Sequence, residues 1–177
     1  MKHSTMLAAG VLALAAASLG MAQEPTQQAV RIGTFDSRAV ALAYYRSPDG
    51  IDRMKPEWDQ ELRDAEAAGD SARVEELKLF MPSFQHLLHQ QVFSTGSICN
   101  VLRVIEDELP AIAAETGVSV IVSQWEMPYS APAVELIDVT PQIVALFEMD
   151  EETAGFVAQM EGVEPVPLEE LLYQPEH

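Results

Sequence analysis

The chain has 177 residues, 48% of them apolar, which suffices for a core in one domain of ordinary size and excludes disorder throughout. Its formal charge of -18 is lopsided: residues 1–103 carry 12 acidic and all 10 basic side chains, while residues 104–177 carry 16 acidic and none basic. Phosphate binding needs Lys and Arg to displace counterions, so the C-terminal half excludes nucleic acid and anionic lipid as partners.

In chain order, Lys2 and His3 precede an apolar run from Met6 to Leu19, with Gly20 and Ala22 at the small-residue positions of an export signal. Cleavage after Ala22 is expected, and the run is shorter than the roughly 20 residues of a membrane span. No later segment reaches that length, so the chain is expected to be exported, periplasmic or secreted, and soluble after cleavage. Val30–Phe35 alternates Val, Arg, Ile, Gly, Thr and Phe, which predicts a short strand. Asp36 and Ser37 are good helix caps, and the apolar spacing after them predicts a helix to about Arg46, closed by the turn Ser47–Gly50.

Pro56 suits a first helical position, and Glu57–Ala68 is rich in helix formers, with Gly69 and Asp70 breaking and re-capping the chain. Val74, Leu77, Met81, Phe84 and Leu88 then step by 3, 4, 3 and 4, the spacing of an apolar seam that Pro82 is expected to kink or divide. After a break at Phe93–Ser97, Ile98, Leu102, Ile105, Leu109 and Ile112 repeat the pattern, with Pro110 as a further kink. Two such seams predict an antiparallel helical hairpin within residues 56–116.

Thr116 and Gly117 stop the second arm. Val118–Val122 is a nearly continuous β-branched run, expected to be a strand central in its sheet or covered on both faces. Ala133–Ile137 is a further strand, and Thr140 followed by Pro141 predicts a capped helix with Ile143, Val144, Leu146 and Phe147 buried. From Glu148 onward there are nine acidic residues, no basic one and three prolines, read as one short helix near Glu151–Met160 and then a weakly ordered tail.

Several constellations invite chemistry, and each has a simpler reading. His86 and His89 share a helical face at metal-ligand spacing, but no third ligand is near, so exposed helix histidines account for them. Glu106, Asp107 and Glu108 point in different directions on a helix and read as a solvated face. Ser94, Thr95, Gly96 and Ser97 lack a phosphate-loop lysine and read as turn and cap residues. Met149–Glu152 lacks the spacing of a calcium loop. Trp125 and Tyr129 read as a contact patch or the edge of a small core. The single Cys99 has no partner for a disulfide and, beside Ile98 and Val101, is expected to be buried. No catalytic, cofactor or metal site emerges, and an enzyme is not expected.

Arg31–Ser37 (RIGTFDS) and Ala133–Phe147 (AVELIDVTPQIVALF) carry a resemblance. They look like the opening strand and turn, and the closing strand and helix, of the OmpH/Skp family of periplasmic chaperones. The resemblance implies an α+β fold, mostly helical, with a small β-body and a kinked antiparallel helical hairpin. Residues 1–22 would be the signal, 23–147 the OmpH/Skp-like domain (strand and helix 30–47, hairpin 56–116, strands and helix 118–147) and 148–177 the acidic C-terminal tail. It further implies a homo-oligomer, in that family a trimer, that holds unfolded outer-membrane polypeptides without catalysis or cofactor. On this reading Val118, Val120, Val122, Val134, Leu136 and Ile143 supply oligomer and packing contacts, and Leu77, Met81, Phe84 and Leu88 form the client-contact seam. The alternatives are a structural or interaction protein of the envelope that kept the fold without holding clients, and a small metal-binding envelope protein using His86 and His89.

Overall fold

The computed structural model describes residues 30–172; the expected signal 1–22 lies outside them. The chain mixes helix and sheet, with helices predominating. Three strands, β1 (Arg31–Phe35), β2 (Val120–Ser123) and β3 (Glu135–Asp138), form one parallel sheet in the order β2-β1-β3. The β-branched run, expected to be central in its sheet or covered on both faces, forms edge strand β2, and the earliest strand takes the middle. Gly33 lets its neighbours approach closely there. A Cβ at Gly33 would sit 3.1 Å from Val118 Cγ2 and 3.3 Å from both Ile121 and Val139, so the middle strand needs a residue without a side chain there.

From β1 the chain enters α1 (Ser37–Tyr45), whose N-cap Asp36 accepts a hydrogen bond from the Arg38 amide. Val40, Ala41 and Ala43 are fully buried, and α1 packs on the later helices as the axis of the core. Tyr44 meets Phe147 edge to face, and Tyr45 meets Phe84 likewise.

α2 (Ile51–Ala68) begins before the expected Pro56 start and carries that proline inside it. It ends at Gly69, whose φ of 69° is the left-handed conformation of a helix stop, and Asp70 caps α3 (Ser71–Phe93). α3 runs through Pro82 without dividing. α2 and α3 contact each other, with the Trp58 indole N–H donating to the Leu77 carbonyl at 3.1 Å and Arg73 bridging Glu61 and Glu76.

The expected second arm does not form a continuous helix. It breaks into α4 (Cys99–Leu102), a 3-10 turn over Arg103–Ile105 and α5 (Leu109–Thr116). Val101, Ile105 and Ile112 join the core cluster with Val92 and α1, so this segment closes the body, and the helix in contact with the outer part of α3 is α2. Gly117 then takes φ 67° as the C-cap of α5, and Arg31 reaches over to bond the Thr116 and Gly117 carbonyls.

α6 (Thr140–Val144) starts where expected, but Thr140 does not cap it in the expected way. Asp138 Oδ1 accepts from the Thr140 amide, while Thr140 Oγ1 accepts from the Asp36 amide at 3.0 Å and ties the ends of β3 and β1 together. α7 (Glu151–Gln159) fulfils the short helix, with Asp150 as its cap, and lies on α1. The segment after it touches the body in its described part, and residues 173–177 of the expected tail lie outside the described residues. The Val163 carbonyl accepts from buried Arg38 at 2.6 Å, the Val166 amide donates to the Phe93 carbonyl at 2.9 Å, and α8 (Leu168–Leu172) rests on α3.

Candidate interaction surfaces

The sheet register decides which residues share a face. Ile32 stands opposite Val120 on one side and Leu136 on the other, while Gly33 stands opposite Ile121 and Ile137. Partners in a ladder point the same way, and successive residues alternate. The row of Ile121 and Ile137 packs against the core. The row of Val120, Ile32 and Leu136 therefore faces away from it, with Val120 51% and Leu136 43% exposed. Of the six residues expected to make oligomer or packing contacts, Val118 and Ile143 are buried within the subunit, Val122 and Val134 are half-buried, and Val120 and Leu136 stand free. Parallel strands are ordinarily covered on both faces, and among the described residues nothing covers Val120 and Leu136.

The second surface is the outer side of α3. The expected client seam turns inward: Leu77 is 4% exposed, Phe84 and Leu88 pack against the core, and Met81 is half-buried. Leu79, Phe80 and Leu87 point outward instead, Leu79 with 66% of its surface free. Phe80 also stacks on Phe84, with ring centroids 6.0 Å apart. A groove of about 480 Å³ runs between α2 and α3, with Trp58, Leu77 and Phe80 on its walls beside the charged Glu57 and the Arg73–Glu61 pair. A sequence signal for this surface exists, since the 24 residues from Leu79 to Leu102 contain no Asp, Glu, Lys or Arg.

A buried polar knot lies at the junction of β1 and α1. Arg38, 3% exposed, donates from Nε to Asp36 Oδ1 at 3.1 Å and from Nη2 to Asp36 Oδ2 at 2.7 Å. The Trp125 indole N–H donates to the same carboxylate at 3.0 Å, and the guanidinium lies 4.8 Å from the Trp125 ring centroid. Burial pushes the Asp36 carboxyl up, but the hydrogen bonds from Arg38 and Trp125 and the Arg38 charge outweigh it and hold the group below its ordinary value. Trp125 is thus part of this knot, whereas Tyr129 projects into solvent. A second knot joins Tyr45, Gln91 and Asn100: the Tyr45 hydroxyl donates to Gln91 Oε1 at 2.6 Å and accepts from Asn100 Nδ2 at 2.9 Å.

His86 and His89 are both exposed; Gln90 pairs with the His86 ring, and His89 leans edge-on against Phe93. Among the described residues no three His, Cys, Asp or Glu side chains come together as metal ligands. Glu106, Asp107 and Glu108 are exposed, as the solvated-face reading has it. Cys99 is exposed rather than buried, because α4 turns Val101 and Ile98 inward and leaves the thiol outside beside Ser97. Ser94 is fully buried and its hydroxyl finds no partner among the described residues, while the Gly96 amide closes the turn by donating a hydrogen bond to the Gln90 carbonyl. No helix among the described residues is long and apolar enough to cross a membrane. Compared with family models, curated proteins and solved structures, the chain matches none.

Proposed function

We propose that the chain is an exported, OmpH/Skp-like binding protein that holds unfolded polypeptides without catalysis and works as a homo-oligomer. The observation that carries the reading is the pairing of two free apolar surfaces at different places on the subunit. One is the sheet row of Val120 and Leu136, suited to a second copy of the body. The other is the uncharged outer side of α3, with Leu79, Phe80 and Leu87, suited to extended apolar chain segments. In this reading α2 and α3 are the shortened counterpart of the family's kinked antiparallel hairpin, and clients lie along the α3 face and the adjoining groove rather than along the inward seam.

Charge supports the division of labour. A chain of formal charge -18 repels its own copies except where both approaching surfaces are uncharged, and the sheet row and the α3 stretch meet that condition. Solution mass, measured by light scattering at rising salt, tests assembly: oligomers that strengthen as salt screens repulsion are expected. Delay of aggregation of an unfolded outer-membrane protein tests holding. A monomer at every salt concentration that leaves aggregation unchanged sinks the proposal.

A further inference from the structure

The carboxyl ends of all three strands converge on a cavity of about 310 Å³ that neither apolar surface includes. Asp36 follows β1, Gln124 follows β2 and Asp138 ends β3, and each lines it. In open parallel sheets this edge is where ligands bind, since the strand ends diverge into loops there and leave a crevice. The walls are apolar, with Ala39 and Val144 buried and Met149, Val157 and Met160 half-buried.

Three properties of the lining define the ligand. Among the described residues no Lys or Arg lines the cavity, so an anion finds no counter-charge there. The Asp36 carboxylate is already matched by Arg38, whereas Asp138 and Glu161 are exposed carboxylates that make no ion pair among the described residues. No metal-ligating triple exists among the described residues, which sets divalent ions aside. What fits an apolar wall beneath two unmatched carboxylates is a single ammonium group on a short aliphatic stem. We propose that this cavity binds such a primary amine, either a free alkylamine or the side chain of a lysine, with the stem against Val144, Val157 and Met160 and the ammonium at Asp138 and Glu161. The proposal does not rest on polypeptide holding, and a failed aggregation assay leaves it standing.

The test is a titration of the full chain carrying labelled methionine methyl groups, since Met149 and Met160 both line the cavity. Pentylammonium chloride should shift both methyl signals saturably, 1-pentanol more weakly, and pentanoate not at all. Asp138→Asn with Glu161→Gln should weaken pentylammonium about threefold to tenfold, as two exposed ion pairs would, and leave pentanol unchanged. Asn keeps the side-chain oxygen that accepts from the Thr140 amide, and an unchanged melting temperature checks that the fold survives. Ala158→Trp, placed on the exposed rim, should abolish binding of both by filling the space. N-acetyl-lysine amide separates the sources: equal binding assigns the site to lysine side chains, and its failure beside a bound pentylammonium assigns it to free amines. Pentanoate binding as well as pentylammonium, an unaffected carboxylate double variant, or silent methionine signals would each overturn the proposal.

Discussion

Arg38 closes a fork on Asp36, only two residues before it, and both side chains are buried while they do so. A charged pair of this kind is costly to bury, but removing one partner is costlier, because the other charge is then stranded. Arg38→Met is therefore expected to lower unfolding free energy by about 3 to 5 kcal/mol in urea titrations. Replacing both, with Asp36→Leu beside Arg38→Met, should recover part of that loss. A single variant as stable as the parent would show that the knot contributes nothing.

The same pair sets an acid limit. The folded Asp36 carboxyl lies below its unfolded value of about 3.9, so its contribution is complete above that pH and is lost as pH falls through the lower folded value. Stability measured from pH 6 downward should fall more steeply in the parent than in Asp36→Asn, with the difference confined to the region of about pH 4 and below. Parallel curves would remove Asp36 from the account.

Tyr45 behaves in the opposite sense. Burial pushes its phenol up, and the hydrogen bond from Asn100 offsets only part of the rise. Its share of stability is present below the ordinary phenol value of about 10 and is lost as pH rises through the higher folded value. Gln91→Ala removes the acceptor of the Tyr45 hydroxyl and should cost about 1 to 3 kcal/mol, read from thermal unfolding.

In the proposed reading one apolar surface serves assembly and the other holding, and substitutions tell them apart. Val120→Asp with Leu136→Asp changes exposed residues and should leave the circular dichroism of the subunit intact while dispersing the oligomer in sedimentation. Leu79→Ser, at the most exposed of the three outward α3 positions, should shift stability by about 0.5 kcal/mol or less and weaken the delay of aggregation. Leu77→Ala, by contrast, empties a buried site and should cost about 2 to 5 kcal/mol. Equal effects of Leu77 and Leu79 substitutions on stability would contradict this assignment of faces.

Elements fixed by neighbours in the chain were legible in the sequence. The Asp36 cap, the Gly69 stop with its Asp70 restart, and the Gly117 stop all depend on residues within a turn of them. What escaped depends on distant closure. Arg38 reads as a surface cation until Val163 and Trp125 come round to meet it. Thr140 reads as a cap until the Asp36 amide arrives from 104 residues away. The seam of Leu77, Phe84 and Leu88 reads as apolar spacing, but spacing gives a stripe without saying which partner covers it: the body took Phe84 and Leu88, while Leu77 lies buried beside α2. Leu79, Phe80 and Leu87 were hidden in the same run because one apolar residue resembles another until its surroundings are known. The tail looked loose from its charge and prolines, yet in its described part the Arg38 guanidinium donates to the Val163 carbonyl and the Val166 amide donates to the Phe93 carbonyl.

The place of β1 in the middle of the sheet governs when the fold can finish. Arg31 has to wait 85 residues for the Thr116 carbonyl and 104 for Glu135, so the first strand made is the last to gain neighbours. Until β2 and β3 arrive, both of its edges are open while α1, α2 and α3 can already form from local contacts. A chain ending before residue 120 would carry β1 with both edges bare, prone to pair with whatever extended peptide lies nearest.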